Sequence, residues 1–459
     1  MLESSGVPIE RTKDWRARFE RFPRAVEAVY VTHEPNSPVI LYKGQLVLEQ
    51  GEYRVDVIGK IFLDWLPSPH IMFFAELKTP IPLALGDEKP VRVVSTDLEA
   101  VGWIINMKFS ETATVMGILM DVNKGHQVEI ANLVFHVPNF TQYFGVSVRS
   151  DLCTDKAQSW SGKVWQGRLT LEASGWRIII DQLEGIDSEF YRQLKAVGGF
   201  GLTHVGKLER YDGSVFEIDE RVENLLEGLG YFLSFVRGAW SFPVLWVGFS
   251  PSGEKVFERW STPKLSPFRT CQSWFPKNRA VEIVTIWPRF VELWEDQNWS
   301  KQMAIAIDWF VEANSPHSIE SGIVLSQVGL ELLAWKLFAD GSDVKLDQFD
   351  KLPAADKLRL LLDKAKIPQA IPSELKDLVC AAKVNNWRDG PQALTKIRNS
   401  IVHGQKLEKV LRLSIDVRRD IWVLGLWYLE LTLLWLMGYS GLYINRCASG
   451  KYELVPWAT

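Results

Sequence analysis

The sequence predicts an α+β protein of several domains, in which an N-terminal β sandwich or barrel-like domain precedes a C-terminal α-helical bundle. Its 459 residues exceed what one hydrophobic core usually organises. Before residue 220, apolar and polar residues alternate at many places, which is the period of a half-buried strand. From about residue 282 they recur at helical spacing. We therefore predict a β-rich recognition domain (1–219), a connector rich in Trp and Pro (220–281) and a helical bundle (282–459).

Short apolar segments separated by turn residues fill the first domain. Residues 53–57 alternate strictly, and Trp176, Ile178 and Ile180 do the same. Many short strands with Gly, Pro and Asn between them are typical of a sandwich or barrel. We find no catalytic motif here and assign this half to recognition of a trigger. The other predicted elements are strands at 71–77, 101–109, 113–120, 128–137 and 164–171, and a short helix at 187–196.

Helical spacing begins within the connector, through residues 222–236. Trp and Pro then dominate 240–276, with a hairpin turn at 250–253. Its aromatic rings could stack nucleobases, but packing between domains is the favoured role because large rings mostly supply buried area. In the bundle, Ser300, Asp389 and Ser414 suit helix N-caps. The predicted helices are 282–295, 300–313, 317–339, 354–366, 374–386, 391–403 and 415–438.

Two acidic residues lie inside apolar helices. Glu331 is either solvated at an edge or paired with a cation such as Arg398. Glu430 lies within 421–444, a stretch that is almost all apolar and nearly long enough to span a bilayer. An acid at membrane depth is costly. We therefore predict a buried bundle helix, or one face of a dimer, in preference to a membrane anchor.

Charge is unevenly distributed along the chain. The formal net charge is −4, so no global basic field indicates nucleic acid binding. Residues 353–419, however, contain fourteen Lys or Arg against seven Asp or Glu. A basic segment in an acidic protein suits a polyanion bound at one place, or equally a solvated helix face.

Cysteine spacing and the N-terminus favour a cytoplasmic protein. The cysteines form no C-x-x-C pair, which argues against a zinc site and a disulfide scaffold. The first residues lack the apolar run of a signal peptide. Gly198-Gly-Phe-Gly201 lacks the Lys-Ser or Lys-Thr of a phosphate loop and predicts an ordinary turn. The four cysteines are Cys153, Cys271, Cys380 and Cys447.

The candidate catalytic residues lie in the stretch 396–404, Lys-Ile-Arg-Asn-Ser-Ile-Val-His-Gly. On a helix, Asn399 and His403 lie one turn apart, with Arg398 beside them. Gly404 is a residue type enriched just past helix ends. The polar residues should therefore face outward while the helix stays anchored. A separate apolar seam is formed by Leu394, Ile397 and Ile401.

Arg398-Asn399-x-x-x-His403 resembles the motif of the HEPN superfamily, in which Arg and a polar residue precede His near the end of a bundle helix. The resemblance implies an α-helical bundle and a metal-independent ribonuclease whose active site is completed by a homodimer or higher homo-oligomer. It also implies a triggered effector in antiviral defence that cleaves RNA. Neither metal nor cofactor is expected. Lys396 and Lys406, which flank the motif, are the candidate substrate-binding residues.

The chemistry of RNA cleavage suits these residue types. RNA carries its own nucleophile, the 2′-hydroxyl, so a base, an acid and positive charge on the phosphorane suffice. An imidazole titrates near neutral pH, so His403 could act as base or acid. Arg398 could bind the phosphate oxygens, and Asn399 could orient His403 or contact the phosphate.

Two other functions remain open. The same bundle could hold RNA or a nucleotide without cleaving it. Alternatively, Arg398 and His403 could form a hydrogen bond at a helix end in a structural or membrane-associated interaction protein. A mutation at Arg398 separates the first from a nuclease, and fractionation tests the second.

Overall fold

A computed structural model of the chain confirms the α+β class, with a β-barrel and a large sheet followed by a mostly helical C-terminal region. It describes residues 13–77, 89–108, 113–125, 128–151, 153–154, 160–315, 318–339, 346–403, 408, 410 and 412–458. The strands are β1 (Val39–Gln50), β2 (Tyr53–Asp64), β3 (His70–Leu77), β4 (Val91–Val94), β5 (Glu99–Lys108), β6 (Ala113–Leu119), β7 (Val122–Lys124), β8 (Asn132–Pro138), β9 (Val146–Arg149), β10 (Cys153–Thr154), β11 (Trp160–Ser161), β12 (Val164–Ala173), β13 (Trp176–Gln182), β14 (Leu202–Arg210), β15 (Val244–Phe249), β16 (Lys255–Trp260), β17 (Leu442–Asn445) and β18 (Lys451–Leu454).

The helices follow the predicted periodicity closely, within the part of the chain that the structure describes. Each predicted bundle helix is present, with ends shifted by a few residues or less. The helices are α1 (Lys13–Glu20), α2 (Ser188–Val197), α3 (Glu220–Arg237), α4 (Val281–Glu295), α5 (Ser300–Ala313), α6 (Ile319–Ala339), α7 (Leu346–Asp350), α8 (Ala354–Lys364), α9 (Lys376–Asn385), α10 (Gly390–Val402) and α11 (Ile415–Leu436), with a 3₁₀ turn at Pro456–Ala458.

Six strands close into an antiparallel barrel in the order β1-β2-β3-β6-β5-β4. The barrel closes where β1 pairs with β4, with Leu48 opposite Val93. Alternate residues point inward, so Leu46, Leu48 and Val93 are buried in the barrel core. The strands predicted at 53–57, 71–77, 101–109 and 113–120 all belong to this barrel.

A second sheet of eight strands follows, in the order β7-β16-β15-β8-β14-β13-β12-β9. It separates two hydrophobic cores, because successive side chains of a strand point to opposite faces. On β8, Phe135 belongs to the core shared with the helices, whereas Val134 belongs to the core shared with the barrel. Gly206 on β14 leaves room for the Phe135 ring, since a Cβ there would lie 2.1 Å from it.

The connector predicted at 220–281 contributes directly to this sheet. Its strands β15 and β16 join through the turn predicted at 250–253, and β15 pairs with β8. Strands from both sides of the predicted boundary at residue 219 therefore share one sheet. The tryptophans of the connector are buried, which favours packing over base stacking as their role. These are Trp240, Trp246, Trp260 and Trp274.

The region predicted as a helical bundle, 282–459, ends in a two-stranded hairpin instead of a helix. Helix α11 stops at Leu436, Gly438 adopts a φ of +67°, and Leu442–Asn445 forms strand β17 paired with β18. A positive φ is easy for Gly and ends a helix. Burial alternates along β17, which is the pattern of a half-buried strand.

Glu430 of α11 forms a fully buried ion pair with Arg446, which follows β17. Arg446 Nε donates to Glu430 Oε2 at 3.0 Å, and its terminal nitrogen donates to Oε1 at 2.6 Å. A third donor of Arg446 reaches Asn314 Oδ1 at 3.1 Å. The predicted buried bundle helix is thus observed, and its acid attaches the C-terminal hairpin to the bundle.

Helix α6 lies at the centre of the bundle and packs against α5, α8, α10 and α11. Within the described ranges, its segment Ile319–Phe338 is long and apolar enough to cross a membrane by length and composition alone. More than half of that apolar segment, 56%, is buried by neighbouring elements. The core helix of a bundle has the same composition.

Candidate functional site

The start of α10 is held firmly in the bundle. Asp389 is its N-cap, as predicted, and accepts from the backbone N–H of Gln392 at 2.9 Å. Arg359 of α8 donates two hydrogen bonds to the same carboxylate, at 2.8 and 3.0 Å. Burial opposes ionisation of Asp389, but Arg359 and the Gln392 amide outweigh it and keep its pKa below the usual value. The helix that carries the motif therefore begins at a rigid, charge-stabilised end.

The apolar seam of α10 faces the core as predicted. Leu394 and Ile397 are buried, and Ile401 packs against the same cluster at its edge. This seam turns the opposite face of the helix outward. Lys396 is exposed, Arg398 and Asn399 are half-buried, and His403 is exposed.

Arg398 and Asn399 are brought together by a side-chain hydrogen bond. The terminal nitrogen of Arg398 donates to Asn399 Oδ1 at 3.0 Å. The side-chain oxygen of Asn399 is thus directed at the guanidinium of Arg398. The role predicted for Asn399, orientation of His403, has no supporting hydrogen bond among the described residues.

His403 lies just beyond the last helical residue, Val402. It is the C-cap, with φ −94° and ψ 100°, and its backbone N–H donates to the carbonyl oxygen of Asn399 at 3.0 Å. Its imidazole is exposed. Gly404 and the predicted substrate-binding residue Lys406 lie outside the described residues.

Arg398 differs from the other arginines of the basic segment 353–419. In the described part of this segment, each of the others lies within 4.0 Å of a carboxylate oxygen, whereas Arg398 has no carboxylate partner. Its Nε is buried, and no described residue accepts a hydrogen bond from it. The paired arginines are Arg359, Arg388, Arg412, Arg418 and Arg419.

The suggested pairing of Arg398 with Glu331 does not occur between these two described side chains. Glu331 is half-buried at an edge of α6 and accepts from Gln327 at 2.6 Å. Arg359, which secures the start of α10 from thirty residues away, has no signal in the sequence. No local pattern joins Arg359 to Asp389, because their contact exists only once α8 packs against α10.

Comparisons with known proteins find similarity to two YopA domains, in the central and C-terminal parts of the chain. A family model described as the YopA central domain matches residues 125–271, and one described as the YopA C-terminal domain matches residues 296–455. The SPbeta prophage-derived uncharacterized protein YopA of Bacillus subtilis (strain 168) is 28% identical over 457 residues, covering 95% of this chain and 98% of that protein. No solved structure matches this chain significantly.

The motif of α10 falls within the C-terminal match, whereas the barrel lies before the central match. Neither family description names the HEPN superfamily, so that resemblance stands on the residues of α10. The chain thus matches the YopA central and C-terminal domain models in succession and is similar to the prophage protein YopA across nearly its whole length.

Proposed function

We propose that the protein is a metal-independent endoribonuclease of the HEPN type, assembled as a dimer and acting in the cytoplasm as a triggered effector of antiviral defence. The observation that carries the proposal is the guanidinium of Arg398, to which the described residues offer no carboxylate partner. It lies on the helix whose end presents the exposed imidazole of His403. RNA cleavage requires a cation that stabilises the charged phosphorane and an accessible group that transfers protons, and an unpaired guanidinium and an exposed imidazole can fill these two roles.

In the proposed mechanism, Arg398 binds the non-bridging oxygens of the scissile phosphate and stabilises the charge of the phosphorane. His403 of one copy takes the proton of the 2′-hydroxyl as the bond between O2′ and phosphorus forms. The imidazolium of His403 from the second copy gives a proton to O5′ as the bond between phosphorus and O5′ breaks. Asn399 holds the guanidinium in place, and Lys396 and Lys406 attract the RNA backbone.

We expect wild type to fragment structured RNA in excess EDTA, and His403→Ala to lower the rate roughly a hundredfold or more, the range typical of a lost general acid or base. Arg398→Ala should cause a similar loss. Fragments are resolved on denaturing gels, with candidate phage-derived triggers added in separate reactions. His33→Ala, which changes an exposed histidine of the N-terminal half, is the matched control. Equal cleavage by wild type and His403→Ala would refute the catalytic assignment.

A second function is favoured by one observation. Among the described residues, no side chain orients the His403 imidazole, whereas Arg398 is held by Asn399. That arrangement suits a module that binds an RNA phosphate without cleaving it. In this case neither wild type nor Arg398→Ala cleaves RNA, while Arg398→Ala weakens RNA binding in a fluorescence anisotropy titration.

A further inference from the structure

A cleft of about 530 Å³ lies between the central part of the chain and the C-terminal hairpin. Its walls come from α2, the end of α3, the connector segment 268–277 and the hairpin residues Ile444 and Tyr452. None of the residues of α10 lines it. The described lining residues include no Asp or Glu, and its cations are Arg192, Lys195, Arg237, Arg269 and Lys277.

Most of these cations have no anion to balance them. Arg192 pairs with Glu189, but no carboxylate lies within 4.0 Å of the other four in the described part of the chain. Arg269 donates instead to Ser315 Oγ at 3.1 Å and to Cys271 Sγ at 3.4 Å. Four positive charges thus face one cleft without compensation, which favours an anion from outside.

Arg237 is the most deeply buried cation of the cleft. Its side chain is 4% exposed, and it donates only to backbone carbonyls, at 2.7 Å to Trp240 and 3.4 Å to Pro267. Burial lowers its pKa to about 10, and the nearby charge of Arg269 adds to this effect. It stays protonated at neutral pH, and a buried cation without an anion is costly.

Elsewhere the same fold pairs its buried arginines with acids. Arg446 binds Glu430, and Arg168 binds Asp181 at 2.6 Å with both side chains largely buried. Arg237, by contrast, has no carboxylate within 4.0 Å among the described residues, so the missing counter-charge of the cleft points to a ligand.

The aromatic side chains at the wall of the cleft and the volume of the cleft indicate a small organic anion with a planar ring. The rings of Tyr191 and Phe268 lie 5.6 Å apart at the wall of the cleft, with Arg237 5.7 Å from the Phe268 ring. Tyr452, 54% exposed, stands on the hairpin side. Aromatic faces stack bases, and a cleft of this volume accommodates a small organic molecule.

We propose that this cleft binds a nucleoside di- or triphosphate, with its phosphates on Lys195, Arg269 and Lys277 and its base against Phe268 and Tyr191. The ligand joins the matched central domain to the hairpin that the Glu430–Arg446 pair attaches to the bundle. Nucleotide binding in this cleft is independent of the ribonuclease proposal, because binding is measured without RNA and none of these residues belongs to α10.

The test uses ATP, inorganic tripolyphosphate and adenosine as probes of the full-length protein. ATP should slow alkylation of Cys271, which is half-buried in the cleft, at least tenfold, while the exposed Cys380 on α9 serves as internal control. Reaction at each thiol is followed by peptide mass spectrometry. Neither tripolyphosphate nor adenosine should bind as tightly as ATP, because tripolyphosphate lacks the base that contacts the aromatic rings and adenosine lacks the phosphates that contact the cations.

Calorimetry on variants locates the site. Lys277→Ala and Arg269→Gln should each weaken ATP binding at least tenfold, and Phe268→Leu should weaken ATP but not tripolyphosphate. Lys277 reaches solvent, so its replacement leaves the fold intact. Lys383→Ala, at an exposed lysine of α9, should bind as wild type does. Absence of Cys271 protection, equal binding of ATP and tripolyphosphate, or unchanged affinity in Lys277→Ala would overturn the proposal.

Discussion

Acidification from pH 7 to pH 5 is expected to lower the free energy of unfolding by about 4 kcal/mol through two buried histidines, His136 and His204. Both are completely buried, and desolvation lowers the pKa of His136 to about 4 and that of His204 to about 3. In the unfolded chain each regains a pKa near 6.5. Both imidazoles are therefore neutral in the folded protein and ready to protonate once it unfolds.

The hydrogen bonds explain why the folded protein resists protonation. His136 Nε2 accepts from the backbone N–H of Tyr30 at 3.0 Å. A proton on Nε2 would break this hydrogen bond, because two N–H groups would then face each other. His204 stacks on Tyr143 at 5.2 Å, and its Nε2 has no hydrogen-bond partner in the described part of the chain. A proton on that nitrogen would bury an N–H without an acceptor.

The direction of the pH effect follows from proton counts. Between pH 6.5 and the two lowered pKa values, the unfolded chain binds more protons than the folded chain, so stability falls as the pH falls. The contribution is complete above pH 6.5 and decreases by about 2 kcal/mol per histidine down to pH 5. Urea denaturation at pH 7, 6 and 5 measures it.

Variants separate these histidines from other titrating groups. His136→Gln and His204→Leu should each be less stable than wild type at pH 7, yet lose about 2 kcal/mol less on acidification to pH 5. His33→Gln, at an exposed histidine, should keep the wild-type dependence. An unchanged pH dependence in both buried variants would contradict the assignment.

Arg446→Ala is expected to lower the free energy of unfolding by about 3 to 5 kcal/mol, because it leaves the carboxylate of Glu430 buried without a partner. Both side chains are essentially inaccessible, at 1% and 0% exposure. The substitution also removes the donor to Asn314, whose amide nitrogen binds the carbonyl oxygens of Gly238 and Gln272. One side chain thus stabilises the junction of α5, α11 and the hairpin.

Urea denaturation followed by tryptophan fluorescence measures this loss. Combining Arg446→Met with Glu430→Leu removes both charges and should recover most of the stability, since paired apolar replacements of buried ion pairs are often neutral or better. Arg412→Ala is the control, because its pair with Glu408 is 3.5 Å long and exposed, and should change stability by less than about 1 kcal/mol. Equal losses in Arg446→Ala and Arg412→Ala would exclude a special role for the buried pair.

Local pattern predicted α10 closely. The helix was expected at 391–403 and is found at Gly390–Val402, because Asp389-Gly-Pro marks its start and Leu394 and Ile397 set its period. The same reasoning failed at β17, where a short apolar run does not distinguish a strand from a helix. Gly438 and the pairing with β18 set that conformation.

The candidate site was predictable in its placement and unpredictable in its contacts. Helical geometry is enough to put Arg398, Asn399 and His403 near one end of one helix. It does not determine side-chain rotamers, and the side-chain oxygen of Asn399 accepts from Arg398 and makes no hydrogen bond that orients the His403 imidazole among the described residues. The sequence also gives no sign that Arg398 has no carboxylate partner among the described residues, because a partner can lie on a distant element, as Glu320 of α6 does for Arg418.

Periodicity, turn residues and caps thus determine the class of fold, the order of its elements and the helix that carries the motif, since these depend on interactions within a few residues. The buried pair of Glu430 and Arg446, the two faces of the central sheet and the cationic cleft arise only from packing. Arg192, Arg237 and Arg269 are far apart in the chain and share no pattern. Their charges lie close together only because the helices and the connector pack against one another.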